Sequence, residues 1–102
     1  MRRDVRRAPE PGGVRAAYAR AMRERWEHRE RPWQYYRHRV ERLEANDEPV
    51  VVHWWEVLRF VPHLRNPNDG GTEFVRLEVD GSVTLVEPVR DGLEIEEWRP
   101  VA

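Results

Sequence analysis

The stretch Pro49–Val61, PVVVHWWEVLRFV, decides the fold, because it holds the densest apolar run of the chain and two of its five tryptophans. Its valines are β-branched, and such residues suit a pleated strand better than a helix. The stretch is therefore predicted to form the longest strand of a sheet. Since a strand sends successive side chains to opposite faces, both of its faces carry apolar residues and both need cover.

One face of this predicted strand is the predicted protein-binding surface, and it consists of Val51, His53, Trp55, Val57 and Arg59. This face has a large apolar area, and monomers seldom expose large apolar patches to solvent. We therefore expect another surface to cover it. An alternative for the same stretch stays open. The spacing of Trp54, Leu58 and Val61 also permits a short helix over residues 54–64, and periodicity does not settle short apolar runs.

The length and composition of the chain indicate its number of domains, its cellular compartment and its origin. A chain of 102 residues has room for one domain. Prolines and glycines punctuate its start, so we expect a flexible basic arm at 1–13 and a single α+β domain at 14–102. The absence of cysteine excludes disulfides and thiol chemistry and fits a reducing cytoplasm. Arginine supplies all 18 basic residues, a usage expected of GC-rich bacterial or phage genes.

The first residues carry no targeting signal that we recognise. The opening arginine pairs precede no apolar segment, so a signal peptide is not expected. No apolar run of the sequence approaches the length of a membrane-spanning helix. A cytoplasmic protein without membrane contact is therefore the expectation.

Charge is divided along the chain, although the net charge is only −1. Residues 1–42 carry 13 arginines against 6 acids, whereas residues 43–102 carry 5 arginines against 13 acids. The folded protein is therefore expected to be strongly dipolar, with a basic half and an acidic half.

Two helices are predicted before the central stretch. The first runs from Val14 to about Arg31, because Val14, Tyr18, Met22 and Trp26 recur every four residues. The second runs from Trp33 to Ala45, where apolar residues recur at alternating spacings of three and four. Asn46, Asp47 and Pro49 are expected to end it.

Three strands are predicted after the central stretch and a loop rich in Asn, Pro and Gly. The strands are Thr72–Val79, Ser82–Glu87 and Leu93–Arg99. Asp80-Gly81 and Asp91-Gly92 are strong signals for the tight turns between them. The pattern predicts two N-terminal helices packed on one face of a four-stranded antiparallel meander, in the order α-α-β-β-β-β.

Few residues are suited to catalysis, so an enzyme is not favoured. The chain has no cysteine or lysine nucleophile, and its one serine, Ser82, lies in a tight turn. On a strand, His53 and Glu56 point to opposite faces and fail as a catalytic pair. His28 and His38 have no metal-ligand spacing around them. No catalytic residue, metal site or cofactor is predicted, and an acid–base enzyme with a pocket between helices and sheet ranks third among the functions.

The second helix offers a candidate nucleic-acid surface, which consists of Tyr35, His38, Arg39 and Arg42. An aromatic ring flanked by arginines can stack on a base and neutralise phosphates. The basic arm adds Arg2, Arg3, Arg6 and Arg7. The net acidic charge of the chain argues against this function, because nucleic-acid-binding domains are usually basic.

Tryptophans point to protein binding instead. Trp26, Trp33 and Trp54 are interpreted as core residues, whereas Trp55 and Trp98 lie on the polar sides of their predicted strands. Tryptophan is enriched at the energetic centres of protein interfaces. The leading hypothesis is therefore a small adaptor, inhibitor or regulatory subunit that binds another protein, with a homodimer as the simplest case. A nucleic-acid-binding regulator is the alternative.

Overall fold

The structure, a computed structural model, describes residues 12–27, 33–64 and 73–101. In these ranges its elements are α1 (Gly13–Glu27), α2 (Trp33–Ala45), β1 (Val50–His53), α3 (Trp54–Phe60), β2 (Phe74–Leu77), β3 (Val83–Asp91) and β4 (Glu94–Pro100). The strands form one antiparallel sheet in the order β1-β2-β3-β4. The predicted α+β class, with two helices before a meander of four strands, is confirmed.

The two N-terminal helices form near their predicted positions. Helix α2 has the predicted bounds, and Asn46 follows it with a φ of 55°, a conformation that commonly ends helices. Helix α1 begins at Gly13, so only the last two residues of the predicted arm are described. Residues 28–32, where the first helix was predicted to end, and the loop at 66–71 lie outside the described ranges. None of the helices described is long and apolar enough to cross a membrane.

The central stretch is not one long strand, and the leading prediction for it is wrong. Strand β1 ends at His53 and helix α3 begins at Trp54, as the alternative interpretation allowed. The first N–H groups of a helix have no partner within the helix. Here the Trp54 N–H donates to the carbonyl of Glu73 at 2.7 Å, and the Trp55 N–H donates to Nδ1 of His53 at 3.2 Å. Both groups are satisfied without a continued strand ladder.

The helices cover one face of the sheet and form the core with it. The register aligns Val50 with Leu77 and Val52 with Val75, and these four valine and leucine side chains are buried. The helical residues packed against them are Tyr18, Ala19, Met22, Tyr36, Val40, Leu43, Trp54, Val57 and Phe60. The opposite face of the sheet, which we call the outer face, carries Val51, His53, Phe74, Arg76, Thr84 and Val86.

A buried arginine joins the helices to the sheet. Arg15 is only 3% exposed, and its guanidinium donates to the carbonyl oxygens of Leu43 at 3.1 Å, Leu77 at 2.8 Å and Arg42 at 3.2 Å. The carbonyls of Arg42 and Leu43 lie in the last turn of α2, where helix carbonyls lack partners within the helix. Arg15 therefore ties the start of α1 to the end of α2 and the end of β2.

The start of α1 lies against the turn between β2 and β3. A Cβ atom on Gly13 would come within 2.1 Å of the Gly81 carbonyl oxygen, and one on Gly81 would lie 3.0 Å from the Gly12 carbonyl oxygen. Gly13 and Gly81 also have positive φ values of 73° and 93°. Only glycine permits both the close approach and the backbone conformation.

Strand β3 continues beyond the covered part of the sheet. Its residues pair with β2 only up to Val86, and from Glu87 onward they pair with β4 alone. We call the segment Glu87–Arg99 the outer ribbon. Leu93 and Ile95, apolar residues of the predicted last strand, do not face a dry side of the sheet, since they are 95% and 41% exposed. Leu93 lies in the turn at the ribbon tip, where no described helix reaches.

Candidate functional site

A cleft of about 230 Å³ opens between α2 and the outer face of the sheet. Side chains from both helical and strand segments line it. We call it the aromatic cleft, and its residues are Tyr35, Arg39, Val51, Val52, His53, Glu56, Phe74 and Trp98. The lining residues come from segments that are distant in sequence, so only the tertiary fold brings them together.

The switch from β1 to α3 brings His53 and Glu56 to this cleft. His53 has an extended backbone, with φ −77° and ψ 135°, and caps the helix, whereas Glu56 lies in the first helical turn. The capping residue and the third helical residue lie on the same side of a helix start. The strand-based expectation that the two side chains point apart is therefore wrong, because the chain turns helical between them.

Three aromatic rings form the wall of the cleft on the sheet. The imidazole of His53 meets the edge of Phe74 at 5.0 Å between centroids, and Phe74 contacts the indole of Trp98 at 4.8 Å. Phe74 is on β2 and Trp98 is on β4, so the two rings meet across β3. Val86 lies on the outer face of that intervening strand and is fully buried. The rings of His53, Phe74 and Trp98 therefore form a continuous aromatic surface on the outer face of the sheet.

Arg39 on α2 is held by two tyrosine hydroxyls. Its NH1 group donates to the hydroxyl of Tyr18 at 3.0 Å and its NH2 group to the hydroxyl of Tyr35 at 2.8 Å. Its guanidinium also lies 5.3 Å from the ring centre of Tyr35. Burial raises the pKa of Tyr18 above its ordinary value, so this hydroxyl stays protonated and neutral. Arg39 therefore serves first as a support for the helix packing.

His53 has both ring nitrogens engaged. Nδ1 accepts the backbone N–H of Trp55 at 3.2 Å, so the proton of a neutral imidazole lies on Nε2. Nε2 lies 3.3 Å from Oε1 of Glu73 and donates to it. With one nitrogen capping a helix and the other bound to a carboxylate, His53 has no free lone pair for use as a general base.

Glu56 is the polar group of the cleft that lacks a partner. Its Oε2 atom is buried and makes no hydrogen bond. A buried acceptor without a donor raises the free energy of the folded state, and most such atoms in native proteins are paired. An unsatisfied carboxylate oxygen beside three aromatic rings is therefore the feature of this site that most needs an explanation.

The predicted protein-binding residues do not share one face. Val51 and His53 line the aromatic cleft, whereas Val57 is fully buried in the core. Trp55, which is 68% exposed, and Arg59 are exposed on α3. The common face was wrong because it assumed a strand through Val61, and a helix rotates successive residues by a different angle.

The predicted nucleic-acid residues are also divided. Tyr35 and Arg39 line the cleft, but His38 and Arg42 are exposed outside it. The Arg42 guanidinium lies 3.7 Å from the carboxylate of Glu48. Two of the four residues therefore join Val51 and His53 in one site that neither prediction described.

Sequence reasoning missed Phe74 and dismissed Glu56. Phe74 has no unusual neighbours in sequence, and only the pairing of β2 with β1 brings it beside His53. Trp98 was considered as an interface residue, and in the structure it lines the cleft. The available signal for Glu56 was its position three residues after His53, which is the capping-box spacing.

No metal centre is found in the part of the chain that the structure describes, where no three potential ligands cluster. The hydroxyl of Ser82 donates to the carboxylate of Asp80 within the turn between β2 and β3.

We expect the His53→Ala variant to unfold about 1 kcal/mol more easily than the wild type, because it loses the cap of α3. His53→Asn should recover most of this loss, since asparagine is a favourable capping residue. Urea unfolding followed by tryptophan fluorescence measures both changes. If both variants lose the same free energy, the ring contact with Phe74 matters more than the cap.

Comparisons with protein-family models, curated proteins and solved structures give no match for this chain, so the functional argument depends on the geometry of the aromatic cleft.

Proposed function

We propose that the protein is a non-enzymatic protein-binding module that docks through the aromatic cleft and the outer face around it. The observation that carries this proposal is the aromatic wall of His53, Phe74 and Trp98, three half-buried rings in contact that line the cleft. Large rings on a rigid sheet offer contact area at a small cost in conformational entropy. Sites of this kind are typical centres of protein interfaces.

The size of the cleft supports a side chain as its occupant. Its volume of about 230 Å³ lies below the range of pockets that enclose whole small-molecule ligands. A partner that lies across the outer face can insert one side chain while its backbone stays on the surface. A homodimer is the simplest such partner, and a cytoplasmic location and bacterial or phage origin belong to the same proposal.

The alternative functions have less support. An acid–base enzyme that uses His53 as its base needs a free ring nitrogen, but His53 is engaged at both nitrogens. A nucleic-acid surface needs available cations, but Arg39 donates to two hydroxyls and Arg42 lies beside Glu48. Neither function gains a specific observation from the arrangement of these side chains.

The test compares two tryptophans that differ in location. Trp98 lines the cleft, and Trp55 is exposed on α3 outside it. Proteins captured from a bacterial lysate by the wild type are identified, purified and titrated against Trp98→Ala and Trp55→Ala by calorimetry. We expect Trp98→Ala to weaken binding by roughly 30-fold, the effect of removing an interface hot spot, and Trp55→Ala to change it little.

Sedimentation of the purified protein across a concentration series tests whether the partner is a second copy of the chain. A dimer that dissociates in Trp98→Ala and persists in Trp55→Ala supports self-association through the cleft. Equal losses in both variants, or full binding by Trp98→Ala, contradict the proposal. Near-ultraviolet circular dichroism confirms that each variant is folded.

A further inference from the structure

We infer that the aromatic cleft binds a basic side chain, an arginine or lysine of the partner protein, with its cationic group held by Glu56 against the rings of Phe74 and Trp98. This inference rests on the proposed function, because it names the kind of residue that the partner inserts. It follows from the chemistry that the cleft offers and from the one polar atom there that is unsatisfied.

The first argument is the unpartnered oxygen of Glu56. Oε2 is buried without a donor, and Glu56 lines the cleft. A guanidinium or ammonium group supplies the missing donor and an opposite charge in the same contact. Such charge-assisted hydrogen bonds are about twice as strong as neutral ones.

The second argument is the aromatic wall. Cations are attracted to the faces of aromatic rings, and tryptophan gives the strongest attraction. Phe74 and Trp98 contact each other at 4.8 Å between centroids, and Tyr35 stands at the opposite side of the cleft with 47% of its surface exposed. The aliphatic part of an arginine or lysine can pack on these rings while its charged end reaches the carboxylate.

The third argument is the balance of charge around the cleft. Arg39 is the opposing charge in the lining, but its guanidinium is directed to the hydroxyls of Tyr18 and Tyr35. Glu73, whose carboxylate lies 3.3 Å from Nε2 of His53, adds a second negative charge near the lining. The region from residue 43 to 102 carries 13 acids against 5 arginines, which gives this half of the protein a negative field. A cation is therefore the favoured ligand.

The experiment uses two acetylated, amidated pentapeptides, one with a single arginine between alanines and one with citrulline in its place. Citrulline keeps the shape of arginine and removes its charge. Each peptide is titrated at millimolar concentration into the full chain, and the indole N–H signal of Trp98, assigned with Trp98→Phe, is followed by NMR. We expect the arginine peptide to shift this signal in a saturable manner and to bind at least about tenfold more tightly than the citrulline peptide.

Two glutamine variants test the role of the carboxylate. Glu56→Gln keeps the shape of the side chain, removes its charge and should weaken the arginine peptide by at least about tenfold. Glu48→Gln removes the same charge at an exposed position outside the cleft and should leave affinity nearly unchanged. Thermal unfolding should show Glu56→Gln to be no less stable than the wild type, because the buried oxygen it alters has no partner.

The inference is overturned if neither peptide shifts the Trp98 signal, if citrulline binds as well as arginine, or if Glu56→Gln binds as well as the wild type. The proposed function fails separately, when Trp98→Ala retains every partner that the wild type binds. A partner that needs Trp98 but tolerates Glu56→Gln therefore contradicts the basic side chain alone and leaves the protein-binding function standing.

Discussion

Replacing Arg15 with methionine should lower the free energy of unfolding by about 3–5 kcal/mol, because it removes three hydrogen bonds from a charged donor, each worth about 1.5–3 kcal/mol. Methionine fills much of the same volume, so the loss does not come mainly from a cavity. It comes from the carbonyl oxygens of Arg42, Leu43 and Leu77, which lose their charged donor.

Arg23 on the same helix is the control for Arg15. Its guanidinium forms a paired contact with the carboxylate of Glu44, at 2.9 and 2.6 Å, but both side chains are exposed. Exposed ion pairs contribute little to stability, so Arg23→Met should cost much less than Arg15→Met. Urea unfolding of the two variants measures the difference. Equal losses would mean that the buried carbonyls are satisfied in another way.

The Gly13→Ala variant should also be strongly destabilised, by about 3 kcal/mol. A positive φ costs an alanine about 1–2 kcal/mol, and forcing extra volume against a packed neighbour adds about 1–3 kcal/mol. At Gly13 the neighbour is the backbone carbonyl of Gly81, only 2.1 Å from the position of the new Cβ atom. The turn between β2 and β3 has to move away from α1 to make room.

Gly92 provides a matched control for the contact. It has a similar φ of 68°, but nothing lies within 4 Å of a Cβ atom placed there. Gly92→Ala should therefore show the conformational cost alone. The excess loss in Gly13→Ala, measured by thermal or urea unfolding, reports the contact between α1 and the turn. If the two variants unfold alike, this contact does not contribute to stability.

Local signals in the sequence predicted most of the fold. Helix α2 has the predicted bounds, because its apolar periodicity and the residues that follow Ala45 agree. The turns between the last three strands lie at the predicted Asp-Gly pairs, with Gly81 and Gly92 both at positive φ. These elements depend on interactions between residues that are close in sequence, so a single sequence is enough to find them.

The helix at Trp54–Phe60 was only an alternative, because its start depends on a residue distant in sequence. The carbonyl of Glu73 satisfies the Trp54 N–H, and that contact exists only after β2 pairs with β1. Three β-branched valines precede the switch and favour a strand. The local propensity of the valines therefore favours a longer strand, whereas the hydrogen bond to Glu73 permits a helix. The helix forms after His53.

The candidate site could be predicted only in pieces. Tyr35 with Arg39, and Val51 with His53, were each identified as functional residues but assigned to separate surfaces. They meet because residues of α2 and β1 line the same cleft, and Phe74 joins them through strand register. Arg15 gave no signal beyond its place in the spacing of Tyr18 and Met22, where an arginine is unexpected on a buried face.

Strand β3 belongs to two parts of the sheet, the part covered by the helices and the outer ribbon. Up to Val86 the strand pairs with β2, and Val83 and Leu85 pack against the core, whereas from Glu87 onward the strand pairs only with β4. Local opening of a segment with few buried contacts requires less free energy than global unfolding. Trp98 belongs to the outer ribbon, while Tyr35 and Glu56 belong to the helix-covered part. Trp98 can therefore separate from the rest of the aromatic cleft while the core stays folded.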